Sequence, residues 1–198
     1  MSVTVIIPFV EDRGYLDKAI DSVKNQTYKC KLILSQSKNK VGYNLNRAIE
    51  KCTTDYWVYL CDDDILPIDS IERRVEAMVG NDFIHGKGIF MDGDIYTPHK
   101  MGILEPTFND LMQKNHIFGG TCMYRTSWHK RVQWNESLWT GEELDYHLNL
   151  LKHGAKIGFC DEFVYLYRKH ENQKSNYKTK AYTNKRKAAI KKIREAYE

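Results

Sequence analysis

The sequence predicts an α/β fold: a single domain with a mostly parallel central sheet flanked by helices, followed by a basic C-terminal helix. Three observations carry that prediction. Short apolar runs alternate with segments of helical period across residues 3–79, the pattern that right-handed β-α-β crossovers produce. The chain is 198 residues long, the size of one domain with its own core. Its densest acidic cluster, Asp62-Asp63-Asp64, directly follows the third apolar run, and open α/β sheets bind ligands at the carboxyl ends of their strands.

Residues 3–9 form a continuous apolar run containing Pro8 and read as a buried strand. Leu16, Ala19, Ile20 and Val23 follow at helical spacing, with Asp12 as a start signal. A second strand spans 31–35, around Leu32-Ile33-Leu34, and Leu45, Ala48, Ile49 and Cys52 then share one helix face. Residues 56–60 are aromatic and β-branched, a third strand. Ile68, Ile71, Val75, Met78 and Val79 make a third helix. Beyond it the pattern predicts short strands at 83–85 and 88–91, a helix at 108–112, a strand at 121–124, a helix over 141–153, and strands at 156–160 and 163–168. A basic helix over 180–197 sets Ala189, Ile193, Ala196 and Tyr197 on one side.

Charge is unevenly placed. The formal net charge is +4, yet residues 178–198 hold eight Lys/Arg against two Glu, and the other 177 residues carry 22 basic and 24 acidic groups. A nearly neutral body argues against a nucleic-acid-binding surface, so no specific nucleic acid is predicted as partner. The basic helix either caps the domain with its apolar side or makes a peripheral membrane contact with anionic lipid. No apolar run approaches the ~20 residues of a bilayer span, and no basic leader precedes Val3, which predicts a cytoplasmic location, with the membrane-peripheral alternative left by the helix. The five cysteines, at 30, 52, 61, 122 and 160, form no C-x-x-C pair and read as reduced core residues.

Absent signatures narrow the chemistry. The sequence has no Gly-rich dinucleotide fingerprint, phosphate loop, zinc-ligand spacing or Gly-flanked serine, which argues against dehydrogenases, kinases and serine hydrolases. What it has is carboxylates. Three adjacent aspartates at a strand end repel one another unless a cation compensates them, and oxygen donors suit magnesium or manganese; the plain alternative is a solvated acidic loop. Glu142, Glu143 and Asp145 open a predicted helix, where negative charge suits the helix dipole and where a partly desolvated carboxylate is able to act as general base. Arg168 and His170, after the last strand, are donors for an anionic ligand. Gly119-Gly120-Thr121 permits close backbone approach or is a plain turn.

Four segments in order resemble family 2 glycosyltransferases of the GT-A fold. They are Val3-Thr4-Val5-Ile6-Ile7-Pro8 with Tyr15-Leu16 and Ala19-Ile20-Asp21-Ser22-Val23-Lys24-Asn25-Gln26-Thr27-Tyr28; Leu60-Cys61-Asp62-Asp63-Asp64-Ile65-Leu66-Pro67; Gly141-Glu142-Glu143-Leu144-Asp145; and Tyr167-Arg168-Lys169-His170 with Ser175. The resemblance covers roughly residues 3–175 and implies a GT-A domain over 1–177, with a nucleotide-binding half to about residue 80 and an acceptor half beyond it, before the basic helix of 178–198.

The resemblance further implies inverting transfer from a nucleotide-sugar donor, a UDP-sugar favoured, to a hydroxyl of a glycan or lipid-linked acceptor, assisted by Mn2+ or Mg2+. By position Asp63 is the first metal ligand, with Asp64 and His170 assisting. Pro8, Phe9, Glu11, Gln36, Asp62 and Arg168 fall on the nucleotide-sugar side. Glu143 stands where the family carries its catalytic aspartate, with Glu142 and Asp145 as the next candidates. Three positions differ from the family pattern: Cys61 replaces the first aspartate of the metal motif, Ser35-Gln36 replace the base-contacting aspartate of the second strand, and the base is Glu rather than Asp. An inactive sugar-nucleotide-binding relative and a sugar-nucleotide nucleotidyltransferase remain the alternatives at this point.

Overall fold

The structure is a computed structural model that describes residues 1–174 and 179–198. In chain order the elements are β1 (Val3–Phe9), α1 (Leu16–Lys24), β2 (Lys31–Gln36), α2 (Val41–Ile49), β3 (Tyr56–Tyr59), α3 (Ser70–Ala77), β4 (Phe83–Asp92), β5 (Ile95–Pro98), α4 (Phe108–Gln113), β6 (Met123–Arg125), α5 (Glu142–Lys152), β7 (Ile157–Arg168) and α6 (Lys180–Glu195). Short 3-10 turns occupy Gly119–Thr121 and Thr126–Lys130.

β2, β1 and β3 are parallel neighbours, as the helical connections between them require. Beyond β3 the sheet is mixed. β6 runs antiparallel to both β3 and β4, β5 folds back antiparallel on β4, and β7 lies parallel to β4. A mostly parallel sheet therefore describes the first half. In the second half no helix separates β4 from β5, and short connections favour antiparallel ladders.

The two pairs of short strands expected at 83–91 and 156–168 are two continuous strands, β4 and β7. Gly86 pairs with Cys160 and Lys87 with Phe163, so Asp161 and Glu162 bulge out of β7. Gly86, left between the two expected strands, and Gly88, at the start of the second, are places of close approach: a Cβ on Gly86 would meet Val164 and Cys160, and one on Gly88 the Phe118 ring. The strand expected at 121–124 is displaced to Met123–Arg125 because Gly119–Thr121 turns. The β5 hairpin, exposed along its length, had no apolar alternation to announce it.

The sheet is covered on both faces. Val3, Val5, Ile7, Val58 and Leu60 point to one side with α1 and α3; Ile6, Trp57 and Tyr59 point to the other, with α2, α5 and α6. That division follows the two-residue period of a strand. Trp57 is fully buried, stacked on Tyr124 at 4.4 Å and edge-on to Trp134 at 6.3 Å. Beneath the opposite face Arg74 is also fully buried and donates to the Cys122 and Val164 carbonyls at 2.9 and 2.7 Å, joining α3 to the turn before β6 and to β7.

α6 starts at Thr179, whose hydroxyl accepts from the Tyr182 amide. Its inner side carries buried Ile193, with Ile190 and Tyr197 packed against the core. All five cysteines are free. No helix among the described residues is long and apolar enough to cross a membrane.

Candidate active site

The candidate residues gather at the carboxyl ends of β1, β3 and β7. After β1 the chain turns at Asp12-Arg13-Gly14. The Asp12 carboxylate accepts from the Gly14 and Leu16 amides at 2.8 and 3.4 Å, and Gly14 has φ +85°, a left-handed position that suits glycine. This turn aims Arg13 across the end of β3. One terminal nitrogen donates to Asp62 Oδ1 at 3.0 Å and Asp63 Oδ2 at 2.9 Å, and the other to the Asn172 carbonyl at 2.9 Å.

The three aspartates have three different environments. Asp62 lies against Arg13; burial and the neighbouring Asp63 raise its pKa, and Arg13 opposes them. Asp63 Oδ2 is shared between Arg13 and His170 Nε2, each at 2.9 Å. Asp64 is buried, accepting from the Tyr165 hydroxyl at 2.5 Å and the Arg168 amide at 2.7 Å. Burial and Asp63 hold its pKa well above the usual carboxylate range, against those two hydrogen bonds. Asp64 therefore fastens β7 to the end of β3, and Arg168 Nε completes the joint on the Asp63 carbonyl at 2.9 Å. Tyr15 supports the group from the side, with its ring 4.7 Å from the His170 ring and 5.1 Å beneath the Arg168 guanidinium.

The second acidic cluster opens α5 and is similarly divided. Gly141, at φ +81°, forms the N-cap, where a Cβ would press on Ile193 of α6. Glu142 accepts from Lys174 Nζ at 2.9 Å. Asp145 turns to the Tyr197 hydroxyl, 3.3 Å from Oδ1, and burial raises its pKa. Glu143 points to the end of β3 and accepts from the Tyr59 hydroxyl. Gly119 closes over it, since a Cβ there would collide with both Glu143 and Tyr59. Burial, then Glu142, raise the Glu143 pKa; the Tyr59 hydrogen bond and the charges of Arg186 and Lys174 pull it back. Burial and then the charges of Asp64 and Asp63, with a smaller contribution from Glu143, push the Cys61 thiol well up.

The remaining sequence candidates lie further along the sheet edge. Pro8 is buried and Phe9 half-buried, in register with Ser35 and Gln36. Gln36 is exposed and donates to the Val10 carbonyl at 3.3 Å, and Glu11 is exposed. Ser175 lies outside the described residues. Sequence reasoning missed Tyr59 and Tyr165, which lie in predicted strands, Tyr15, which entered as part of a motif with no role of its own, and Arg13, whose only signal was its place beside Gly14 after the first strand.

The donor set suits a hard divalent cation. The Asp63 carboxylate faces the His170 imidazole, whose other nitrogen, Nδ1, is buried without a partner among the described residues. Cys61 Sγ and the Asp63 and Asp64 carboxylates also lie within 4.8 Å of one another. A thiol held neutral is a poor ligand for magnesium or manganese, and both oxygens of Asp64, a metal candidate in the sequence, are taken by Tyr165 and Arg168, which leaves Asp63 and His170 as residues that could hold such an ion.

The family model for glycosyl transferase family 2 matches residues 28–133. Among curated proteins none matches this sequence. The crystal structure of S. aureus TarS 1-349 in complex with UDP-GlcNAc superposes with a TM-score of 0.72 at 16% identity, covering 89% of this chain and 62% of that one. The same protein in complex with UDP gives 0.69 at 15%, covering 85% and 61%, and S. aureus TarS gives 0.67 at 15%, covering 85% and 37%. This likeness shows the fold, GT-A. The chain spans about three fifths of TarS 1-349.

Proposed function

The chain belongs to glycosyl transferase family 2, and from that premise we propose that it transfers a sugar, with inversion, from a UDP-sugar to an acceptor hydroxyl, assisted by a divalent cation. The observation that carries this reading is the presence of two different acidic environments at the carboxyl end of β3: Asp63 between a guanidinium and an imidazole, and Glu143 desolvated beside a hydroxyl. UDP as the nucleotude-bearing part of the donor is supported by the TarS complexes with UDP and UDP-GlcNAc. Inversion needs one base and a good leaving group, rather than the two flanking carboxylates of a glycosidase.

On this reading Glu143 accepts the proton of the acceptor hydroxyl as its oxygen bonds to the anomeric carbon and the bond to the diphosphate breaks. A divalent cation, when bound, supplies charge neutralisation for the leaving diphosphate. Asp63 and His170 would hold that ion. The terminal nitrogens of Arg168 make no hydrogen bond among the described residues, and a guanidinium with free donors suits the same negative charge. Asp64 orients Arg168 and β7 from below. Gly119 lets the backbone pack directly against the Glu143 carboxylate and the Tyr59 hydroxyl, which keeps the base in place. The acceptor is a glycan or lipid-linked hydroxyl, and the exposed lysines of α6 suit an anionic membrane surface.

A thermal-shift and calorimetric titration with UDP tests the reading. UDP with Mn2+ or Mg2+ is expected to raise Tm, by mass action on the native state, and EDTA to remove the shift. Asp63→Asn is expected to weaken metal-dependent UDP binding roughly tenfold or more, the loss of a charge-assisted contact. Unaltered binding by this variant would contradict the metal assignment, and no shift with UDP in the wild-type chain would move the reading to a relative that has lost its donor site.

Tyr59 sets the pH range of the base. Its hydroxyl favours the charged form of Glu143, so Tyr59→Phe raises the Glu143 pKa further above the ordinary 4.5. Activity requires the carboxylate and falls as pH drops through that pKa. The acid limb of kcat/KM is therefore expected to move to higher pH in Tyr59→Phe, while the plateau at high pH changes less. An acid limb that stays in place would remove Glu143 from its role.

A further inference from the structure

We infer that Arg13 is a second ligand for the donor diphosphate, held on the aspartates until a divalent cation displaces it. This rests on the donor-site reading above and adds a residue that the motif comparison left without a role. The guanidinium bridges the three loops that form the site: its own after β1, Asp62 and Asp63 after β3, and the Asn172 carbonyl after β7. These are the hydrogen bonds it makes among the described residues, and all five atoms lie at the mouth of the site, with the Arg13 side chain 28% exposed and the two carboxylates 14% and 13%.

The charge balance explains why it sits there. Asp62 and Asp63 are adjacent, their side chains only 14% and 13% exposed, and like charges so placed repel. Without ligands, Arg13 is the cation that compensates them. Asp63 Oδ2, however, is also the oxygen that His170 Nε2 faces at 2.9 Å. An ion held by Asp63 and His170 meets the guanidinium on that same oxygen, where the two positive charges repel one another. Arg13 then leaves Asp63. The donor brings two phosphates to the same place, and a planar guanidinium with paired donors matches phosphate oxygens better than any other side chain. The Asp12-Gly14 turn fixes the backbone of residue 13 over the end of β3, so a change of side-chain rotamer is all the exchange needs.

The inference predicts effects of opposite sign from one substitution. In Arg13→Gln the ion loses its internal competitor, so Mn2+ alone is expected to bind several-fold more tightly, read by the loss of the free Mn2+ electron paramagnetic resonance signal. UDP in the presence of saturating Mn2+ is expected to bind roughly tenfold more weakly, read by calorimetry. Arg13→Lys, which keeps the charge without the fork, is expected to fall between wild type and Arg13→Gln for UDP, and serves if the glutamine variant does not fold. Mn2+ affinity that is unchanged or lower in Arg13→Gln overturns the competition. UDP affinity that is unchanged in both variants overturns the diphosphate contact. Wild-type protein that binds neither Mn2+ nor UDP overturns the donor-site reading itself, a result distinct from either.

Discussion

Glu143→Gln is expected to lower turnover by about 10²- to 10⁴-fold, the usual worth of a general base, while UDP binding stays as in wild type. Glutamine keeps the shape of the side chain and still offers an oxygen to the Tyr59 hydroxyl, so the change removes proton affinity and little else. A loss in kcat and kcat/KM together, with donor affinity retained, is the pattern of a group that acts in the transition state. Single-turnover transfer from a labelled UDP-sugar, set beside a UDP titration of the same preparation, checks it. Turnover equal to wild type would reject Glu143. The structure then leaves poor substitutes, because Glu142 is engaged by Lys174 and Asp145 by Tyr197.

Trp57→Ala is expected to cost about 3–5 kcal/mol of stability, the range for removing a large aromatic side chain from a packed core. Trp57 is completely buried at the centre of an aromatic group in which Tyr124 stacks on it and Trp134 stacks on Tyr146 at 4.3 Å. Alanine leaves a void lined by the rings of Tyr124 on β6, Trp134 and Tyr146 on α5. For a domain of this size the loss corresponds to a fall in Tm on the order of 10 °C. Trp57→Phe is expected to lose much less: the stack on Tyr124 survives, and the indole N–H, which has no partner among the described residues, is gone. Thermal unfolding of the two variants separates these outcomes, and equal Tm values for Trp57→Ala and wild type would show that the aromatic group is not what holds β3 in place.

The first half of the fold was legible because its physics is local. Val3, Val5 and Ile7 alternate with Thr4 and Ile6 on a strand buried on both faces, and α1 and α2 carry their apolar residues at helical spacing. The second half was read less well because its strands are shaped from a distance. Gly86 and Gly88 give no sign of lying inside one strand until Val164 and Phe118 are seen to occupy the space their side chains would fill. The acidic clusters were legible as clusters, since like charges in a row demand compensation wherever they sit. Which carboxylate does what was not legible from the acids themselves. Asp64 differs from Asp63 because Tyr165 reaches it from a strand a hundred residues later, and Glu143 differs from Glu142 because Tyr59 and Gly119 enclose one and Lys174 holds the other. Sequence spacing names the acids, and tertiary contacts assign them.

The C-terminal helix has two sides that answer to different constraints. Ile193 presses on Gly141, the residue from which the helix carrying Glu143 begins, and Tyr197 holds Asp145 in the next turn. Lys185, Lys187 and Lys191 stand outward. The helix is thus a buttress for the base as well as a carrier of charge, and substitutions separate the two. Exchanging the outer lysines for glutamine or glutamate leaves the buttress standing, so that side is free to drift in composition with whatever surface the protein meets. Shortening or deleting the helix removes the support of α5, and a chain cut before residue 179 would be expected to lose transfer for a mechanical reason, whatever becomes of its net charge.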